Sequence, residues 1–236
     1  MAIGSAVAFT DSYENHQADV AAVKIDRHGK VYAMGSSLAQ LDIQGTDELR
    51  NNTNPEKQDA YIARFSADCT TMEYEYFIGG TLLDAGNDMT LYSKVVSSAP
   101  QVDEVYVVGY TASSNFPIKA PTGASAFKQT FGGTPYDGFV ICLTADGTTI
   151  KFSTYMGGAH FDQAVSVTIG QAASQLDGFV IIAGNTRSAD FPLYKNIQGT
   201  AVMAAPFGTN DDALSGRHCG STPGTAVQAQ CYGSIV

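Results

Sequence analysis

Tryptophan is absent from the sequence, and charged side chains are scarce: Asp, Glu, Lys and Arg make up only 15% of the 236 residues. No apolar run approaches the roughly 20 residues that a membrane-spanning helix needs. The 24 glycines follow no three-residue period, which excludes a collagen-like chain, and the apolar fraction of 44% excludes a disordered one. The composition therefore predicts a turn-rich globular protein with a sizeable core and no membrane span.

Basic residues are outnumbered by acidic ones. The chain has 13 Lys and Arg against 23 Asp and Glu, so its formal net charge is −10 at pH 7. Such a charge repels phosphate backbones and anionic lipid surfaces. We therefore expect no nucleic-acid partner.

The four cysteines form no CxxC pair and no CxxCH motif, which argues against a zinc knuckle and a c-type haem. Cys219 and Cys231 close a short polar loop, and they are a disulfide candidate if the compartment is oxidising. Asn51 opens an N-x-T tripeptide, which is either a glycosylation site or a chance match. Residues 1–10 lack the basic segment and the extended apolar run of a secretory signal.

A long-period repeat is the most informative feature of the sequence. Residues 59–65 recur 78 positions later as residues 137–143, and residues 105–117 recur 75 positions later as residues 180–192. The 78-residue shift also relates two further features, the pair Gly79-Gly80 to Gly157-Gly158 and Asp84 to Asp162.

Partial copies flank these two units. Residues 22–35 carry the second half of a unit, and residues 207–213 carry the beginning of another, with Asp212 in the place of Asp137. The chain therefore contains about three units. It divides into a partial unit with its connector at 1–58, a second unit at 59–136, a third at 137–211, and the start of a further unit or a divergent cysteine-containing tail at 212–236.

Each unit contains four runs of strand length, which in the third unit are residues 138–144, 150–156, 164–169 and 179–183. Gly147 follows Asp146 between the first two runs, where a two-residue hairpin requires positive φ. In the second unit Cys69 replaces this glycine, so either the turn is of another type or Cys69 carries strain of about 1 kcal/mol or more.

No stretch shows sustained helical spacing, although residues 122–130 could form one short helical turn. The sequence therefore predicts an all-β fold. Four-stranded units in tandem fit the blades of a β-propeller, because each small sheet covers its faces by stacking against its neighbours.

Several strings resemble the SBBP-type β-propeller repeat: DGFVICLTADG at 137–147, FSTYMGG at 152–158, DQA at 162–164 and GNTRSADFP at 184–192. That repeat runs approximately D-x-F-V-x-K-L, Y-S-T-Y-L-G-G, D-x-A and G-x-T-x-S-x-D-F-P. The similarity is strong over 137–192, fair over 59–117, weak over 5–37 and absent after Ala213, and Cys142 replaces the frequent Lys. The resemblance implies a propeller, usually in exported or surface proteins, and no particular reaction.

Three units are fewer than the four to eight blades of typical propellers. An open arc of blades would expose apolar faces at both ends. We therefore expect that the chain is part of a longer protein, that it associates with copies of itself or with other chains, or that its divergent tail caps the arc.

The acids that follow the glycine pairs, Asp84 and Asp162, are weak candidates for a metal site, where oxygen ligands would select calcium. The acids at the unit starts, Asp59, Asp137 and Asp212, allow the same interpretation. We prefer a structural role for these acids, because Asp side chains at turns accept hydrogen bonds from local backbone donors.

No catalytic motif is present, so we predict no catalytic residue and no required cofactor. His16, His28, His160 and His218 are scattered, the glycine pairs are not phosphate loops, and Ser153 and Ser166 lack a G-x-S-x-G context. Aromatic residues could form a sugar-binding surface or an inter-blade core. Their alternating positions favour the core, as for Tyr74, Tyr76, Phe139 and Phe152.

The sequence predicts a non-catalytic propeller module, extracellular or at the cell surface, that acts as a structural or protein-interaction platform. The connectors 38–58 and 118–136 are the expected contact regions, because segments of this length are usually functional or disordered. Two alternatives stay open: a subunit of an extracellular fibre or appendage, and a glycan-binding or enzymatic propeller with a site at its central axis.

Overall fold

The computed structural model describes residues 18–37, 57–94, 102–121, 128–170, 180–191, 212–214 and 228–232. These residues form strands, turns and loops, and they contain no helix, which confirms the all-β prediction. The strands are β1 (Ala18–Ile25), β2 (Val31–Ser37), β3 (Asp59–Phe65), β4 (Met72–Ile78), β5 (Asp84–Lys94), β6 (Val102–Thr111), β7 (Asp137–Thr144), β8 (Ile150–Met156), β9 (Asp162–Ile169), β10 (Val180–Thr186), β11 (Asp212–Leu214) and β12 (Gln228–Tyr232).

The strands form three antiparallel sheets. Sheet 1 has the order β1-β2-β3-β4, and sheet 2 has the order β5-β6-β7-β8. In sheet 3, β10 pairs with β9 on one side and with both β11 and β12 on the other. Because β11 pairs with the last residues of β10 and β12 with the first, these two short strands share the third position of the sheet.

The sheets and the sequence units are out of phase by two strands. The unit at 137–211 supplies β7 and β8 to sheet 2, and then β9 and β10 to sheet 3. Each unit therefore begins at the third strand of a sheet. The first acid of each unit pairs with the last residue of the preceding second strand. The three pairs are Ser37 with Asp59, Thr111 with Asp137, and Thr186 with Asp212.

The strands predicted for the third unit are confirmed, with small differences at their ends. Residues 138–144 and 150–156 fall in β7 and β8, and residues 164–169 fall in β9. Of the predicted run 179–183, residues 180–183 fall in β10 and residue 179 lies outside the described residues. The hairpin between β7 and β8 is longer than the predicted two-residue turn, because Thr144 and Thr149 form its closing backbone hydrogen bond.

Gly147 adopts positive φ in this hairpin, as predicted, at 71°. Cys69 adopts the same conformation in the equivalent hairpin of sheet 1, with φ of 58°. The two turns also share their hydrogen bonds, because Cys69 N donates to Ser66 O as Gly147 N donates to Thr144 O. The turn type is thus retained at the substituted position, and Cys69 carries the strain of a left-handed residue with a side chain.

A β-bulge recurs in the first strand of every sheet, with one extra residue at Ala21, Asn87 and Val165. Each bulge lies opposite a glycine of the second strand. A Cβ on Gly109 would lie 1.9 Å from the carbonyl oxygen of Ala85, and Gly35 and Gly184 are equally restricted. The recurrence of these three glycines follows from the close approach of the bulged backbone.

Sheet 2 packs its two faces against sheets 1 and 3. Val107, Phe139 and Tyr155 pack with sheet 1 residues that include Tyr74 and Tyr76. The opposite face meets sheet 3 through a second apolar cluster, which contains Tyr106, Val140, Phe152, Val167 and Ile182. The prediction that Tyr74, Tyr76, Phe139 and Phe152 belong to the core between sheets is confirmed.

Sheet 1 has a second apolar face, directed away from sheet 2. Ala33, Ala63 and Phe65 are buried on this face, whereas Val23 and Ile25 of the edge strand are 56% and 67% exposed. Within the described ranges, the strands form no closed barrel or propeller ring. No helix in this part of the chain is long and apolar enough to cross a membrane.

We predict that Cys69→Gly stabilises the protein by about 0.5–1 kcal/mol, because glycine removes the cost of a left-handed conformation and part of this gain is offset by chain entropy. The free energy of unfolding from urea titration measures this change. Gly147→Ala is the opposite control, since its Cβ would lie 2.7 Å from the Tyr76 ring. A destabilised Cys69→Gly protein would contradict the assignment of strain.

Candidate functional site

The recurring polar residues meet at the two seams between neighbouring sheets. At each seam the chain crosses from the fourth strand of one sheet to the first strand of the next, through residues 79–83 and residues 157–161. We call the first group of side chains node 1 (Asp59 and Asp84) and the second node 2 (Asp137 and Asp162, together with Lys128). All four aspartates are fully buried.

One carboxylate of each node closes the crossover that precedes it. Asp84 Oδ2 accepts hydrogen bonds from Gly80 N at 2.7 Å and from Ser113 Oγ at 2.9 Å. Asp162 Oδ2 accepts the same bonds from Gly158 N and Ser188 Oγ, both at 2.7 Å. Thr186 Oγ1 donates to the other oxygen of Asp162.

The loop that follows the second strand of a sheet accepts hydrogen bonds from further N–H groups of the crossover. Ser113 Oγ accepts from Leu82 N at 2.9 Å, and Ser188 Oγ accepts from His160 N at 2.8 Å. Two residues further, the Asn115 amide oxygen accepts from Thr81 N and the Asp190 carboxylate accepts from Ala159 N, completing a set of acceptors for the crossover backbone. The two seams therefore use equivalent bonds from equivalent positions.

Backbone bonds reinforce both seams. Asp84 N donates to Gln58 O, and Asp162 N donates to Tyr136 O at 2.9 Å. Each of these bonds joins the first strand of one sheet to the residue before the third strand of the preceding sheet. The aspartates thus lie where two sheets are joined by main-chain as well as side-chain contacts.

Gly79 and Gly157 allow the two acids of each node to approach each other. A Cβ on Gly79 would lie 2.4 Å from Asp59 Oδ1 and 2.8 Å from Asp84 Oδ2. A Cβ on Gly157 would lie 2.5 Å from Asp137 Oδ1 and 2.8 Å from Asp162 Oδ2. Both carboxylates therefore approach one glycine Cα, and the space between them does not admit a methyl group.

Node 2 includes a cation. Lys128 Nζ lies 3.1 Å from Asp137 Oδ2 and donates to the carbonyl oxygen of Gly157 at 2.6 Å. The same Asp137 oxygen accepts from Gly132 N at 2.8 Å. The segment 118–136, which was predicted as a contact region, thus supplies hydrogen-bond partners to Asp137.

Burial dominates the electrostatics of the nodes. Removal from water raises the pKa of Asp84 to about 7, while hydrogen bonds from Thr111, Gly80 and Ser113 lower it and the charge of Asp59 raises it. Burial also raises the pKa of Asp137 and of Asp162. Lys128 acts in the opposite direction on both of these carboxyls.

The two acids predicted as metal candidates belong to different seams. Asp84 is in node 1 and Asp162 is in node 2, so each has another aspartate as its acidic neighbour. No group of three or more His, Cys, Asp or Glu residues within the described ranges could hold a metal ion. Asp84 and Asp162 each accept backbone and hydroxyl hydrogen bonds.

Other predicted positions are separate from the nodes. Ser153 donates to Pro117 O, and Ser166 donates to the Asp88 carboxylate. His28 N donates to Asp26, and the His160 side chain is exposed. Cys69 and Cys142 are free thiols. The positions of His16, Asn51, His218 and Cys219, and the side chains of Asp212 and Cys231, lie outside what the structure describes.

Sequence reasoning missed the partners of the acids. Thr111 and Ser113 of one unit, with Thr186 and Ser188 of the next, occupy a T-x-S pattern that was visible in the repeat. Its link to the aspartates could have been inferred from their common recurrence. Lys128 gave no such signal, because it lies in the connector of the second unit and the corresponding connector of the first, residues 38–58, shows no clear similarity to it.

We predict that Ser113→Ala and Ser188→Ala each lower the free energy of unfolding by about 1–3 kcal/mol, because each removes a donor to a buried carboxylate and an acceptor for a crossover N–H. Ser114 is exposed beside Ser113 and provides the matched control. Ser114→Ala should change stability by less than about 0.5 kcal/mol. Equal effects of the Ser113 and Ser114 substitutions in urea unfolding would refute the role of the node.

A scan against protein-family models finds no match to this chain, and a search of the curated proteins finds none either. The similarity to the SBBP-type repeat therefore depends on the strings in this sequence alone.

Proposed function

We propose that this chain is a non-catalytic propeller-type module that acts as a structural or protein-interaction platform, outside the cell or at its surface. The proposal rests on what the recurring polar residues bind. The buried residues Asp84, Ser113, Asp162 and Ser188 accept hydrogen bonds from the N–H groups of the crossovers between sheets. Side chains that could act on a substrate are thus committed to holding the stack together.

The arrangement of the sheets supports the propeller part of the proposal. Sheets 1 and 2 have the same strand order, and sheet 2 is covered on both faces by its neighbours. Such a stack grows by adding sheets at its ends, and a ring closes only when four to eight are present. Further sheets would come from other protein chains or from copies of this one.

The end face of sheet 1 is the surface that we assign to this assembly. Val23 pairs with Ala33, and Ile25 pairs with Val31, so both exposed residues share a face with the buried cluster of Ala33, Ala63 and Phe65. On sheet 2 the equivalent face is covered by sheet 1. The exposed side chains of Val23 and Ile25 on this face favour contact with another sheet over contact with water.

The connectors supply the second type of surface. The described parts of 118–136 run along β8, where Lys119 pairs with Ser153 and Lys128 N donates to Thr154 Oγ1 at 2.7 Å. We propose the connectors 38–58 and 118–136 for partner binding, of which residues 38–56 and 122–127 lie outside what the structure describes. A fibre subunit is the second candidate, because the sheet 1 end face could join copies head to tail, and contacts that do not close produce filaments.

Sedimentation velocity over a range of concentrations tests the assembly. We expect the chain to form larger species as its concentration rises, with negative-stain microscopy showing either rings or filaments. Val23→Lys with Ile25→Lys should shift the association to at least about tenfold higher concentration, because two charges would be buried in the contact.

Leu82→Lys is the matched control for this experiment. Leu82 is an exposed apolar residue like Val23 and Ile25, with 46% of its surface accessible, but it lies on a crossover rather than on the end face of sheet 1. The control should associate like the unmodified protein. A compact monomer at every concentration would contradict the proposed assembly.

A further inference from the structure

Node 2 contains two carboxyl groups and one ammonium group in a largely dry environment. Asp137 and Asp162 are fully buried, and the side chain of Lys128 is 17% exposed. With both acids ionised, the group would carry one uncompensated negative charge. A buried net charge is costly, and proteins usually avoid this cost by protonation.

The hydrogen bonds show where a proton would fit. Asp137 Oδ2 is occupied by Lys128 Nζ and Gly132 N. Asp137 Oδ1 is also buried, and it has no hydrogen-bond partner among the described residues. This oxygen faces Gly157, where Asp162 Oδ2 approaches the same point.

A proton fits this gap better than a metal ion. Two carboxylate oxygens, Asp137 Oδ1 and Asp162 Oδ2, approach the Cβ position of Gly157, at 2.5 Å and 2.8 Å. Calcium requires six to eight oxygen ligands, and the ammonium of Lys128 already occupies the other side of Asp137. A hydroxyl hydrogen on Asp137 Oδ1 needs only one acceptor.

We propose that node 2 binds one proton, carried on Asp137 Oδ1 and directed to Asp162, and that this proton helps to hold sheet 2 against sheet 3. The protonated node is electrically neutral, with one carboxylate balanced by Lys128. Loss of the proton leaves two facing carboxylates at the seam. The seam is therefore a pH-sensitive joint, stronger in acid and weaker as the pH rises.

The groups around the node agree with this direction. From β8, Tyr155 is a buried phenol whose pKa is itself raised, chiefly by burial, with contributions from the charges of Asp84 and Asp137. From the crossover and the loop after β10, His160 and Asp190 are exposed to solvent. Lys128 is the cation that faces the pair, and it is already engaged with Asp137.

The sign of the effect follows from the raised pKa values of Asp137 and Asp162. An acid with a higher pKa in the folded state than in the unfolded state contributes stability at low pH. That contribution is lost as the pH rises from the unfolded value, about 3.9 for Asp, through the folded value. The folded protein therefore binds the proton more tightly than the unfolded chain does.

Carbon-13 NMR of the side-chain carboxyl groups, recorded on the whole chain from pH 3 to pH 9, tests proton binding directly. We expect the Asp137 and Asp162 signals to report a shared titration step well above the ordinary Asp value of about 3.9. Two independent steps at or below that value would overturn the proposal, and this readout requires no variant.

Asp137→Asn tests whether the proton strengthens the seam, because the amide can imitate a protonated carboxyl with Nδ2 directed to Asp162. The urea midpoint of the unmodified protein should fall between pH 5 and pH 9, and the variant should show a smaller fall. The exposed Asp190, which bonds the adjacent crossover, provides the control. Asp190→Asn should keep the full pH dependence, and an unchanged dependence in Asp137→Asn would refute the coupling.

Discussion

Two stacked sheets must be joined by a chain segment that leaves one sheet and enters the next, and the N–H groups of that segment have no strand to pair with. Buried backbone donors without partners are costly. In this protein, acceptors from three directions remove that cost: the aspartate that begins the next strand, the serine that follows the second strand, and an amide or carboxylate two residues later. The contact between the apolar faces depends on this polar joint, because it fixes where each new sheet begins.

Comparison of the two complete sheets separates fixed features from interchangeable ones. Lys30 pairs with Glu73 in sheet 1, whereas the equivalent positions of sheet 2 hold Glu104 and Lys151 with the charges reversed. Ion pairs that are partly open to solvent contribute little net energy, so either orientation is acceptable. The glycine opposite each first-strand bulge has no such freedom, because a backbone oxygen occupies the space of its Cβ.

Much of the fold was accessible from the sequence. Alternating apolar runs and turn residues predicted β7 to β10, because each strand has a clear pattern of its own. The sequence could not show at which strand of the repeat each sheet begins, because a repeat shows which strands recur but not which strands pair. The candidate site could be predicted from the sequence only in part. The recurring aspartates were visible as acceptors, but their pairing across Gly79 and Gly157 depends on distances that only packed sheets define.

The two-strand offset between units and sheets has a consequence for how such chains lengthen. A duplicated unit of about 78 residues, inserted in frame between a second and a third strand, would end one sheet and begin another. No sheet is left incomplete. The first two strands of the inserted unit complete the older sheet, and its last two strands form a sheet with the first two strands of the unit that follows. Growth by gene duplication therefore adds a sheet whose strand pairs repeat those already present, and the crossover segments join each sheet covalently to the next.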